Sequence, residues 1–167
     1  MFPLPDTEAL LPALRAEVLQ RNGLHVYRMV MHSPGIAPAF LGISDALRHA
    51  NSLPPTWREL AILRVGNRYG AAYELHHHER MARASGLSEQ AIGAARVGAD
   101  TQALPDAERQ TLSLTDELLD QHGLSPASRS QALTWLSVNQ LTDLVLLVGF
   151  YQLVCNFLNT FEVEPEA

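Results

Sequence analysis

The sequence predicts an all-α protein, and three observations carry that reading. Apolar residues recur at helical spacing nearly throughout the 167 residues. No segment shows the period-two alternation that a half-buried strand requires. Helix start and stop signals follow one another at short intervals, leaving no room for an interdomain linker or a low-complexity segment. The expectation is therefore a single domain, residues 1–167, of about seven to nine helices, long enough to bury a core.

Leu10, Leu11, Leu14 and Val18 define one face of a first helix, which "NG" at Asn22-Gly23 stops. A short helix around Val26 to Met31 ends at "HSPG", and another runs from about Pro38 to Ala50. "LPPTW" starts a helix through Arg58 to Tyr69, with proline pre-organised in its first turn and Gly70 closing it. The next helix carries "YELHHHERM" and stops at Gly86, a C′ glycine, after which Ser88 caps the following helix. Later helices begin near "LPDAE" and at "LSPAS", where Ser125-Pro126 is a cap-then-proline start.

The last segment, Leu141 to Phe161, is apolar almost all round. Asp143, Gln152, Asn156 and Asn159 interrupt it, and its unbroken run from Leu144 to Tyr151 is too short to span a bilayer. It reads as a central core helix, or as one that also builds a subunit interface.

The formal charge of −6, from 12 basic and 18 acidic residues, argues against a nucleic-acid partner, which needs clustered positive charge. "MFPLPDTEALL" has no basic region ahead of its apolar residues and no small-residue cleavage site, so no signal peptide is expected. The lone Cys155 fits a reducing cytoplasm. With no basic neighbour to lower its pKa, it reads as a small buried hydrophobe.

Two helices hold acids where solubility alone does not explain them. Glu59 shares a helix face with Ile62, Leu63 and Gly66, so it is either a buried carboxylate or an acid favourably meeting the helix dipole. Glu74 and His78 are four residues apart, one turn along one face, where a carboxylate orients an imidazole and raises its basicity. The same spacing also describes an ordinary exposed pair. Successive helical residues diverge by ~100°, so His76, His77 and His78 do not converge on one ion. Glu74 with His77 or His78 remains a partial metal site, and Glu74-x-x-His77 is half of a di-iron motif whose second half is missing. No metal is expected, and His76 is expected at the surface.

"LPPTWRELAILRVGNRYGAAYELHHHERMARASGLSEQAI", residues 53 to 92, resembles the core motif of the carboxymuconolactone decarboxylase and alkylhydroperoxidase D family. "VYRMVMHSPGIAPAFLG" resembles its N-terminal helices, and "LSVNQLTDLVLLVGFYQLVCNFLNTFEVEPE" its C-terminal region. In the hydroperoxidase branch a glutamate precedes the first cysteine of Cys-x-x-Cys by twelve residues, and a histidine follows the second cysteine by four. With that histidine on His78 the glutamate is Glu59, while Ala71 and Glu74 stand at the two cysteine positions. The redox sulfurs are gone, and thiol peroxidase chemistry is not expected. Glu74-Leu75-His76-His77-His78 instead is similar to the "E-L-x-x-H" of the decarboxylase branch.

The resemblance implies an AhpD-like helical fold, no organic cofactor or metal, and assembly into trimers or hexamers. It implies a lyase-type acid–base enzyme on a small carboxylated or lactone-like substrate. His78 would be the general acid or base, Glu74 its partner, and Glu59 a second buried carboxylate across the helix pair. Tyr73 or Trp57 would wall the pocket, and Arg58 or Arg64 would hold a substrate carboxylate unless both are solvated. The alternative is a peroxidase-related protein without redox cysteines, an oligomeric small-molecule binder whose site is vestigial. Neither reading calls for a nucleic-acid or membrane partner.

Overall fold

A computed structural model describes residues 2–98 and 104–166. Among these, a 3-10 turn at Thr7–Ala9 precedes nine α-helices and there is no strand. The helices are α1 (Pro12–Gln20), α2 (His25–Val30), α3 (Ala37–His49), α4 (Pro55–Tyr69) and α5 (Ala72–Ala84), then α6 (Glu89–Val97), α7 (Asp106–Gln121), α8 (Pro126–Ala132) and α9 (Val138–Thr160). Each predicted start and stop lies within a few residues of an observed one. Ser88, Ser125 and Ser137 all cap their helices through the side-chain oxygen. Ser137 and Gln140 complete a reciprocal capping box at the head of α9. The first helix begins later than the apolar pattern predicts: Pro12 sits in its first turn, Leu10 packs in the preceding segment, and Leu11 is exposed.

The central helix is α4. Every residue from Glu59 to Gly66 is buried, because α5, α6, α7 and α9 all pack on it. One of its faces, through Ala61, Ile62 and Val65, joins a large apolar cluster with α2, α3 and α9. Its other face, through Leu60 and Leu63, joins a smaller cluster with α6 and α7. Arg64 is carried into this interior by hydrogen bonds and an ion pair: Nε donates to Asp116 Oδ1 at 2.6 Å, and Nη1 donates to the carbonyls of Ala95 and Arg96. It clamps α4 to α6 and α7.

α9 is long and apolar enough to cross a membrane by length and composition, but half of its most apolar stretch is buried inside the protein. Leu144, Leu147, Val148 and Leu158 point inward, chiefly against α4. Val145, Leu146 and Leu153 lie on the outward face. The helix is thus a core element on one side only, and α4 takes the central place its composition had suggested. The polar residues of α4 disguise its burial in the sequence.

The α4–α5 hairpin sets the position of the site. Gly70 closes α4 in the left-handed region, φ 60°, and the Ala71 N–H returns to Gly66 O at 2.9 Å. Further back, a Cβ on Gly66 would lie 3.2 Å from Leu75 Cδ2, so the missing side chain lets α5 approach closely. The two helices then face each other with Glu59 on one and Glu74 and His78 on the other.

Leu147 is 1 % exposed against α4. Leu147→Ala is expected to lower the unfolding free energy by about 2–5 kcal/mol. Urea denaturation with a loss below about 1 kcal/mol would show that α9 does not pack as described.

Candidate active site

Glu59, Glu74 and His78 converge, and all three are buried. The His78 Nδ1–H donates to Glu59 Oε2 at 2.7 Å, across the α4–α5 hairpin. On the opposite edge of the ring, Nε2 lies 3.3 Å from Glu74 Oε2 and 3.3 Å from the Tyr151 hydroxyl, contributed by α9. The Tyr151 ring meets the imidazole edge-on, centroids 5.2 Å apart. The dipole reading of Glu59 therefore gives way to a buried carboxylate with a specific partner. Its other oxygen lies 3.4 Å from Arg58 Nε.

The electrostatics follow from burial and charge count. Burial alone would lower the pKa of His78, but its hydrogen bond to Glu59 and the charges of Glu74 and Glu59 outweigh it, and the net shift is upward despite opposition from Arg48. Burial raises the pKa of Glu74, Glu59 adds to the rise, and His78 opposes it. Burial likewise holds the Tyr151 hydroxyl protonated, well above its ordinary value, with both glutamates adding to the effect. Glu74 Oε2 is at ion-pair distance from the imidazole yet has no hydrogen bond of acceptable direction, although it is buried. A polar atom left in that condition costs about 1–3 kcal/mol.

These groups open onto a cavity of about 210 Å³, lined by Glu74, His78 and Tyr151 together with Phe40, Arg48 and Phe150 among others. Glu59 is not part of the lining: it stands behind His78 and holds the ring from the far side. Tyr73 is in the wall as expected, but its hydroxyl is engaged with Glu166 Oε1 at 2.9 Å. Trp57 and Arg58 are not in the wall. Trp57 packs edge-on against Trp135, centroids 5.4 Å apart, and Arg58 donates to the Arg48 carbonyl at 3.1 Å. Arg64 is equally unavailable, being committed to Asp116. Trp57 and Arg64 leave α4 away from Glu59, while Arg58 stays beside its Oε1 but outside the cavity wall. Sequence spacing does not tell which neighbour takes each side chain.

The histidine triplet separates as helix geometry requires. His76 is exposed. His77 Nε2 lies 2.9 Å from Glu166 Oε2, pairing α5 with the C-terminal segment. Only His78 enters the buried cluster. Among the described residues no group of three or more His, Cys, Asp and Glu side chains is disposed to hold a metal ion. Sequence reasoning missed Tyr151 and Arg48. The one available signal for Tyr151 was a hydroxyl at the end of an otherwise apolar run; Arg48 had none.

The profile of the carboxymuconolactone decarboxylase family matches residues 34–117, half of the chain and the part that holds Arg48, Glu59, Glu74 and His78. The chain belongs to that family. No curated protein matches the sequence. Solved structures that resemble this family member include an uncharacterized peroxidase-related protein with the alkylhydroperoxidase AhpD core from Ralstonia eutropha JMP134, with a TM-score of 0.86 at 18% identity over 99% of this chain and 91% of the other. A peroxidase-related protein from Silicibacter sp. TM1040 gives 0.79 at 16% identity, over 100% and 88%. The debrominase Bmp8, in complex with 2,3,4-tribromopyrrole, gives 0.78 at 16% identity, over 99% and 91%. At these identities the likeness establishes the AhpD-like all-α fold.

Within that fold this decarboxylase-family chain carries no thiol at its site. Cys155 is fully buried outside the cavity lining, and burial, reinforced by Glu74, pushes its pKa far up. A thiol so held is a poor nucleophile.

The raised values of Glu74 and His78 make stability depend on pH. Both groups hold their protons more tightly in the folded state, so the stability each contributes is complete below its unfolded pKa and is lost as pH rises through the raised folded value. The part of the stability that these two groups contribute is expected to decline as pH climbs above the ordinary glutamate value of 4.5 and then the histidine value of 6.5. It is read from denaturant midpoints as the difference between wild type and a Glu74 or His78 variant. Glu74→Gln, neutral at every pH, is expected to flatten the first part of that decline. A variant profile parallel to wild type would mean that Glu74 does not titrate as described.

Proposed function

We propose that this family member is an acid–base enzyme of the lyase type acting on a small carboxylated or lactone-like molecule, with His78 as the group that transfers the proton. The observation that carries this reading is the two-sided imidazole: Glu59 holds Nδ1 from behind, and Nε2 stands beside the cavity-lining Glu74 and Tyr151. A base oriented by a carboxylate on its far nitrogen is poised for proton transfer on its near one.

The chemistry follows in order. Loss of CO2 leaves the electron pair of the broken C–C bond on the substrate, where it must be protonated. The imidazolium, favoured by the two glutamates, delivers a proton from Nε2, and Glu59 stabilises the ring in both of its states. Tyr151, held protonated, donates a hydrogen bond to negative charge as it develops on oxygen. Glu74, with its pKa raised, is a second proton carrier next to Nε2. Side chains supply all of these steps. A cavity of about 210 Å³ supports a small occupant. We also infer a cytoplasmic protein that assembles as a closed trimer or hexamer, a reading supported by the outward apolar residues Val145, Leu146 and Leu153 of α9.

A panel of small carboxylated lactones and unsaturated carboxylates, assayed for CO2 release and loss of the lactone ring, tests the proposal. His78→Asn is expected to lower kcat about 10²–10⁴-fold, and Tyr151→Phe to lower it less. Turnover that survives His78→Asn within threefold would refute the assigned role. Binding without turnover across the panel would favour a small-molecule binding protein instead.

A further inference from the structure

Most arginines of the described chain lie within ion-pair distance of a carboxylate. Arg48 does not: it is a half-buried cation on the cavity wall with no acidic partner among the described residues, in a protein of net charge −6. Its Nη1 donates to the Tyr27 hydroxyl at 2.7 Å, which fixes the guanidinium and leaves its other N–H groups without an acceptor among the described residues. The neighbouring Arg21 is consumed by Glu17 and Asp45, so the acids at hand are already spent. The charge of Arg48 reaches the site, where it opposes protonation of His78 and acts on Tyr151.

Arg48 also lines an outer groove of about 350 Å³ with Arg21, Asp45 and His49, so it stands where the groove and the inner cavity meet. The lining also has an apolar, aromatic part: Phe40 and Phe150, with ring centroids 5.2 Å apart, and Val154. At about 210 Å³ the cavity is small beside the ~300–1,000 Å³ of drug-sized sites. Arg80 lines it too, but is exposed.

We propose that Arg48 anchors the carboxylate of the ligand, and that the site takes a small flat monocarboxylate whose ring lies against Phe40 and Phe150. A guanidinium held by one partner and open on its remaining edge matches a carboxylate by paired, charge-assisted hydrogen bonds. Binding there also neutralises the charge that opposes the His78 imidazolium, so an occupied site is better protonated than an empty one. The inference deepens the lyase reading of the same site, but it is tested by binding alone.

Isothermal titration with benzoate and with its neutral isostere benzamide reads the anchor directly. Benzoate is expected to bind at least tenfold more tightly than benzamide. Arg48→Gln is expected to abolish that preference while leaving benzamide affinity within threefold, and Arg80→Gln to change the preference less than threefold. Arg48→Lys, which keeps the charge and the fold, is expected to retain a reduced preference. Equal binding of the two compounds by wild type, no binding of benzoate, or a tenfold preference that survives Arg48→Gln would each overturn the proposal. Charge preference without catalysis in the lyase panel would sink the lyase reading and leave the anchor standing.

Discussion

The hydrogen bond from His78 to Glu59 is the constraint on which the site depends. It crosses the α4–α5 hairpin in the interior of the protein, and neither residue has an exposed alternative. The rest of the architecture serves the approach of those two helices. Gly66 lets them close, Gly70 turns the chain between them, and the packing of α6, α7 and α9 around α4 removes water from Glu59. A buried carboxylate is costly by itself, and an imidazole that offers it a proton offsets that cost.

Once Nδ1 is engaged, the other nitrogen is left to the cavity. There the protein does something that stability alone would not select: it buries a second carboxylate, Glu74, with one oxygen lacking a directed partner, and sets an unionised tyrosine beside it. Such a cluster is poorly compensated as structure and well suited to moving protons, a trade that active sites commonly make. A half-buried arginine without an acidic partner among the described residues continues the same pattern in the cavity wall. These residues come from α3, α4, α5 and α9, so the site is held by the body of the fold.

Much of this was legible in the sequence. Helix boundaries followed from proline, glycine and serine punctuation, because those residues act locally. The Glu74–His78 pair followed from the four-residue period, and the separation of the three histidines followed from the turn of the helix. The family resemblance aligned Glu59 with them. What sequence could not supply was the direction in which long side chains leave a buried helix. Trp57, Arg58 and Arg64 flank Glu59 in sequence yet turn to Trp135, the end of α3 and Asp116. Tyr151 and Arg48 are 73 and 30 positions from His78, in helices whose docking only the fold determines. His77 shared only the partial metal reading with His78, and its actual partner, Glu166, lies 89 positions away in the sequence.

The most direct test of the account is the tautomer of His78, read from its ring ¹⁵N shifts at a pH above its raised pKa. The geometry predicts a neutral ring protonated on Nδ1, with Nε2 bare toward the cavity, and a loss of that preference in Glu59→Gln. A ring protonated on Nε2, or one indifferent to the Glu59 substitution, would contradict the claim that Glu59 orients His78 for chemistry.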